Sequence, residues 1–321
     1  AASGHFAGRQ GGRSYTLQLA AADTLLQPRI ELQAEGEGLR GTAELRAAPF
    51  DPLPLRALKL ALGDVDPAAF AAGAPRAALR VEADFAATET GDALLSGPLR
   101  ITNLRPAPAD QGGIPLDSLA GRLAWRADAV HLDALDIRLP ASAPAAAQGR
   151  ISGRLAWSPH AGKARDAAQN APATDAPQSA GAEVPGFGNL EAALELAGVD
   201  TRALDSRLPR QLLGGRVELG ADVARQHAQL DLAVGKARIE ATAALLAGAT
   251  DAAGHVPRSF TIDGRLRQLD PRALLAEAPS ALLNLDIAAS GTLAPQPEVQ
   301  AKFSLPDSRL EGRPLGGAGA F

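Results

Sequence analysis

Apolar and polar residues alternate in steps of two along almost the whole chain. Leu17 and Leu19, Ile30 and Leu32, and Ala43, Leu45 and Ala47 open the pattern. It continues through Leu58, Leu60 and Leu62, through Leu135, Ile137 and Leu139, and through Val217, Leu219 and Val223, to Val299, Ala301, Phe303 and Leu305. Arg, Asp, Glu, Gln and Thr fill the positions between. A period of two marks strands with one wet and one dry face, and no stretch sustains the 3.6-residue period of a helix. The chain is predicted to be all-β: an elongated, curled, antiparallel-rich sheet with a few helices of one or two turns.

One phrase recurs where strands end. Leu62-Gly-Asp-Val-Asp66-Pro67 leads through Phe70 to Pro75, Leu196-Ala-Gly-Val-Asp200-Thr201 through Leu204 to Pro209, and Leu266-Arg-Gln-Leu-Asp270-Pro271 through Leu274 to Pro279. Asp66, Asp200 and Asp270 fit as helix N-caps, and Pro67 and Pro271 suit the first helical position, where no backbone donor is needed. Phe70, Leu204 and Leu274 are expected to face inward, and the second copy, with Thr201 in place of Pro, to be less pre-organised. A plain turn closed by the Asp side chain is the simpler alternative. The unequal gaps, 134 and then 70 residues between the aspartates, suggest a module of about 65–70 residues with one degenerate copy. A second echo, Leu119-Ala-Gly-Arg-Leu-Ala-Trp125 against Ile151-Ser-Gly-Arg-Leu-Ala-Trp157, places a Gly beside an apolar strand residue, a common mark of a bulge.

Residues 158–188 break the alternation with Ala, Pro, Asp, Gln and Gly and almost no large apolar residue. Such a stretch cannot bury enough area to offset its ordering entropy, so a disordered insertion is expected. It separates a first β segment, 1–157, from a second, 189–321.

Among 321 residues 46% are hydrophobic but only 3% aromatic, which suits a thin core of Ala, Leu and Val. A net charge of −4 offers nothing to nucleic acid. With no Cys there is neither a disulfide framework nor a thiolate metal site. His5, His131, His160, His227 and His255 show no ligand spacing, and the Gly186–Gly188 turn lacks a preceding strand and a third Gly. Asp64 with Asp66, and Asp133 with Asp136, read as solvated turn residues better than as catalytic pairs. No catalytic constellation, metal or cofactor is expected, and the chain is read as a non-enzyme.

What remains is the dry face. Its expected lining is Leu60, Leu62, Leu79, Val81, Phe85, Leu99, Ile101, Leu123, Trp125, Leu132, Ile137, Ile151 and Leu155 in the first segment. In the second it is Val217, Leu219, Leu230, Leu232, Ile239, Phe260, Ile262, Leu283, Leu285, Ile287, Phe303 and Leu305. A long sheet with one apolar side must close, stack, or curl around something apolar. An open track for lipid and a filled solenoid of the adhesin type are both compatible with this pattern.

Gly97-Pro-Leu-Arg-Ile-Thr-Asn103, then Ile114-Pro115-Leu116-Asp-Ser-Leu119, Leu132-Asp-Ala-Leu135 and Gln148-Gly149-Arg-Ile-Ser-Gly153, resemble a unit of the TamB family within the AsmA-like group. The Val-Asp-Pro phrase and Leu310-Glu-Gly-Arg-Pro314 are similar to it too. The resemblance implies a β-taco, a long sheet folded into a U around an apolar lumen. It implies a periplasmic protein anchored in the inner membrane of a Gram-negative bacterium, with phospholipid acyl chains in the groove. A TamA-like, Omp85-type outer-membrane barrel is the implied partner, and nascent outer-membrane proteins are candidate clients. The chain opens without Met and ends inside a strand-like pattern, so it is expected to be an internal piece, with anchor and barrel-docking regions outside it.

Overall fold

The computed structural model describes residues 2–10, 13–36, 38–51, 53–88, 94–126, 128–141, 147–159, 188–248, 256–275, 277–293 and 297–321. Most of them lie in strands. The first ten are β1 (Ala2–Gln10), β2 (Arg13–Thr24), β3 (Gln27–Gly36), β4 (Leu39–Ala47), β5 (Leu55–Val65), β6 (Leu79–Ala87), β7 (Leu95–Asn103), β8 (Ser118–Trp125), β9 (Val130–Arg138) and β10 (Arg150–Ser158). There follow β11 (Asn189–Asp200), β12 (Leu212–Ala221), β13 (Arg225–Val234), β14 (Ala237–Ala247), β15 (Arg258–Leu269), β16 (Ala281–Thr292) and β17 (Glu298–Ser304). The short strands β18 (Ser308–Leu310), β19 (Arg313–Leu315) and β20 (Ala318–Ala320) end the chain.

The protein is all-β, one 20-stranded antiparallel sheet that does not close. Each strand from β1 to β17 pairs with the next. At the far end β17 pairs with the second half of β16 and β18 with its start, while β20 and β19 pair back onto them. β17 and β18 therefore act as one strand broken at 305–307. The hairpin between β18 and β19 turns on Glu311 and Gly312, with φ of 48° and 77°, the left-handed pair that a two-residue turn requires.

In a meander the connections alternate between the two strand-end edges. Those after odd-numbered strands form one rim and those after even-numbered strands the other. All three Asp phrases fall on the first, at the ends of β5, β11 and β15. The Asp66 carboxylate accepts the Ala68 and Ala77 N–H groups, both at 3.2 Å. Asp200 accepts Arg202 N–H at 3.0 Å and Asp270 accepts Arg272 N–H at 3.1 Å. Each begins a single turn, Pro67–Ala69, Thr201–Leu204 or Pro271–Ala273. Just upstream the ladder skips, between Leu62 and Val65, Leu196 and Val199, and Leu266 and Leu269. The residue two before each cap, Asp64, Gly198 or Gln268, is left-handed, with φ of 57°, 60° and 55°. The phrase thus encodes a bulge followed by a cap, and bulges bend their strands. Register also shifts at Ala120/Arg122 in β8 and Gly153/Leu155 in β10, the two echoing segments, which flank β9.

Three expectations need correction. The repeat unit is one hairpin of about 35 residues, not 65–70. Asn103, at the end of β7, occupies the place of the capping Asp and accepts Arg105 N–H at 3.1 Å; the first gap spans three hairpins plus the insertion before β11, and the second spans two hairpins. Phe70 and Leu274 do not face inward but are exposed, and Phe70 stacks on Tyr15 with ring centroids 6.3 Å apart. Thr201 is no weak substitute for Pro: its hydroxyl donates to Pro209 O at 2.7 Å and accepts Gln211 N–H at 3.0 Å. The expected disordered insertion lies outside the described residues, apart from Ser158, Pro159 and Gly188. The strands on either side of it, β10 and β11, pair directly.

Candidate functional site: one apolar face and two rims

Cross-strand partners point to the same side of a sheet, so the registers show which residues share a face. One row passes through every strand from β1 to β16: Phe6, Leu17, Ala34, Gly41, Leu62, Val81, Ile101, Leu119, Ile137, Ile151, Leu196, Gly215, Leu232, Ile239, Leu266 and Leu285. Not one member is polar. Beside it, on the same face, run Leu135, Gly153, Leu194, Val217, Leu230, Ala241, Gly264, Ile287 and Phe303. The opposite face carries a largely polar row, interrupted by Ala61 and Ala120, which includes Glu82, Arg100, Asp136, Glu195, Arg216, Asp231, Glu240, Arg265 and Asp286. With neighbouring strands about 4.8 Å apart, the apolar track is about 80 Å long.

Every predicted lining residue within a strand lies on this face, and Leu305 follows Phe303 just past the end of β17. The prediction omitted Leu17, Leu19, Ile30, Leu32, Leu119 and Leu266, which belong to the same rows. Their period-two spacing was the available signal. Val223 was expected in a strand but lies in the turn between β12 and β13, fully in view of solvent.

The face is sheltered yet uncovered. Leu62, Val81, Ile101, Ile137, Ile151, Leu232, Ile239 and Leu285 are half-buried, neither sealed nor free. Shelter differs between the faces even for alanine: Ala83, Ala192 and Ala301 on the apolar side are buried, while Ala20, Ala61 and Ala86 on the polar side are exposed. Among the described residues the only side chains of any size less than 2% exposed are Val199 and Asp200, both at a rim. A stacked second layer would have buried the aliphatic rows.

Small residues keep the floor low. A Cβ on Gly121 would stand 2.9 Å from Leu132, one on Gly264 3.1 Å from Ile287, and one on Gly291 3.0 Å from Phe260. Tyr15 lies across Gly36 and Leu62 across Gly41 in the same way. Large side chains lie down over glycines on neighbouring strands instead of standing upright, so the sheet keeps a shallow relief of aliphatic surface.

The local hollows lie elsewhere. One of about 420 Å³ is lined by Gln18, Gln33, Glu35, Arg40 and Glu82, and another of about 660 Å³ by Glu240, Asp263, Arg265, Arg267 and Asp286. Both belong to the polar face, where the side chains pair with one another, as in Arg40 with Glu35 and Arg267 with Asp286. They are saddles in a twisted sheet, not a built pocket. The described residues contain no group of three His, Asp or Glu placed to hold a metal. His5, His131 and His227 lie on the polar face, while His160 and His255 are outside the described residues.

The capped rim is held by hydrogen bonds between side chains and backbone. Asn103 accepts Ala78 N–H at 3.3 Å and donates to Ile114 O at 3.1 Å. Arg210 Nε donates to buried Asp200 at 3.0 Å. The loops after β7 and after β11, two hairpins apart, are stitched together by Asp110, which accepts Ser206 N–H at 2.9 Å and the Ser206 hydroxyl at 2.5 Å. Those two bonds hold the Asp110 carboxyl below its ordinary range. Hydrogen bonds from the Arg207 side chain and backbone lower Asp205 to about 2, and Arg272 lowers Asp270 in the same manner.

The arrangement offers a long aliphatic surface between two chemically different rims. No helix among the described residues is long and apolar enough to cross a membrane. Comparison with protein-family models, with curated proteins and with solved structures returns no match.

Proposed function

We propose that the chain is a periplasmic segment of a TamB- or AsmA-like bridge whose apolar face carries phospholipid acyl chains between the inner and outer membranes. The observation behind this reading is the unbroken apolar row from β1 to β16, half-buried from β3 onward and not covered by a second layer. Acyl chains bury apolar area at about 25 cal/mol per Å², both in a bilayer and against Leu, Val and Ile. Transfer from one to the other is close to neutral, which suits passage along the sheet better than storage. Rows of glycine and alanine between the leucines give a floor without deep sockets, so no position retains a chain for long. Headgroups would stay at the edge of the groove, towards water. A TamA-like barrel partner and the membrane anchor would be engaged by regions outside this chain.

Leu232→Arg and Ile287→Arg test the proposal. A guanidinium facing acyl chains costs about 3 kcal/mol, so retained phospholipid should fall about a hundredfold in native mass spectrometry with the far-UV circular dichroism unchanged. Retention equal to that of the unchanged chain rejects the reading.

A second reading rests on the sheet being open and not closed into a barrel. A sheet that does not close can accept a strand from a nascent outer-membrane protein by edge pairing. Photo-crosslinks from β1 to an unfolded barrel protein, in place of crosslinks from the floor to lipid, would favour that scaffold role.

A further inference from the structure

The plain rim, formed by the connections after even-numbered strands up to β16, shows apolar side chains to water at several hairpins. The turn after β2 presents Leu25, 88% exposed, the one after β4 Phe50, 77% exposed, and the one after β12 Val223, 68% exposed. Leu94, Trp125 and Leu293 do the same after β6, at the end of β8 and after β16. Exposed leucines at single turns need no explanation, but large apolar side chains at the tips after β2, β4 and β12, each more than two-thirds exposed, do. The capped rim is mixed: Phe70, Leu104, Leu212, Leu274 and Leu275 are exposed there, but only Leu275 exceeds 55%, Leu139 after β9 is buried, and the tip after β13 is Gly235-Lys236.

We infer that this plain rim is a membrane-contacting edge, whose apolar tips insert singly into the interfacial layer of a lipid surface. Tips of adjacent hairpins are two strand spacings apart, about 10 Å, with polar backbone between them. A protein partner would need a matching pocket at each interval, whereas a fluid lipid surface accepts each tip independently. Trp and Phe are the side chains whose rings favour the headgroup level, as at Phe50 and Trp125. Trp125 also stands in the floor's outermost row, opposite Leu95 and Val130, so the inserted edge is continuous with the apolar face. Adjacent strands rotate by about 20°, so only a few neighbouring tips reach one plane and the contact is reversible.

The inference does not rest on the floor carrying lipid. The test is flotation of the full chain with phosphatidylethanolamine–phosphatidylglycerol vesicles. The unchanged chain should float, and a Leu25→Ser, Leu26→Ser, Phe50→Ser variant should lose at least about tenfold in bound fraction. A Leu104→Ser, Leu212→Ser, Leu275→Ser variant at the other rim should bind as before, as should Leu232→Arg, which separates this edge from the floor. If the tip variant misfolds, a fluorophore on Phe50→Cys should shift to the blue with vesicles while one on Leu104→Cys does not. Failure of the unchanged chain to float, equal losses at both rims, or no difference between the two labels overturns the inference.

Discussion

The two rims end the same strands with opposite chemistry. The four buried polar side chains of the described residues, Asn103, Asp200, Asn284 and Ser308, all lie on the capped rim, each bonded to backbone. The plain rim has exposed apolar side chains and no buried polar side chain among the described residues. A sheet with no central core must obtain its rigidity somewhere, and polar burial at one edge supplies it. The other edge stays free to meet a different surface. Orientation comes from buried polar groups that can be satisfied in one way only.

The largest way to break this contrast is Asp200→Ala. The carboxylate is 1% exposed, accepts Arg202 N–H and pairs with Arg210. Its loss strands a cation and uncaps a turn, so chemical denaturation should register about 3 kcal/mol. Leu25→Ser, on the plain rim, should change stability by less than about 0.5 kcal/mol.

Thr201→Pro sharpens the comparison within the capped rim itself. The other two copies carry Pro at this place, and copying them here should destabilise by about 2 kcal/mol. Proline removes both hydroxyl bonds and the Thr201 N–H, which donates to Gln211 O at 3.0 Å. A thermal midpoint equal to or above that of the unchanged chain would show that the turn tolerates the exchange.

Acid gives the smallest effect. Asp205 is held near 2 in the folded chain by Arg207, against about 3.9 when unfolded. A lowered carboxylate pKa stabilises the fold above the unfolded value, and that contribution is lost as the pH falls towards the folded one. Hydrogen-exchange protection in the loop after β11, relative to intrinsic rates, should therefore decline between about pH 4 and pH 2. Arg207→Ala should remove most of that decline, while the turn at Leu25 should show little of it.

Much of the fold is legible in the sequence because parity decides the face of each residue. Once Leu60 and Leu62 alternate with Lys59 and Ala61, an antiparallel neighbour must place its own leucines alongside. The caps are legible because Asp before Pro has few other uses. Asn103 escaped notice because no Pro follows it directly, and the hairpin-sized repeat was hidden by the insertion before β11. Phe70 was misjudged because its outcome depends on Tyr15, three strands away. The rims could not be read at all. Which turns share an edge follows only from counting every strand, and Leu25, Phe50 and Val223 look unrelated until that count is made.

Because the chain has no cysteine, single-cysteine variants report without background. The most direct measurement places a bimane label in turn at Leu62, Ile137 and Leu232 on the floor and at Gln33, Ser152 and Asp231 on the polar face. Phospholipids with brominated acyl chains are then added. Quenching at the three floor positions, with little at the other three, is the expected result. Equal quenching on both faces, or none on the floor with the sheet intact, would contradict an apolar face open to acyl chains.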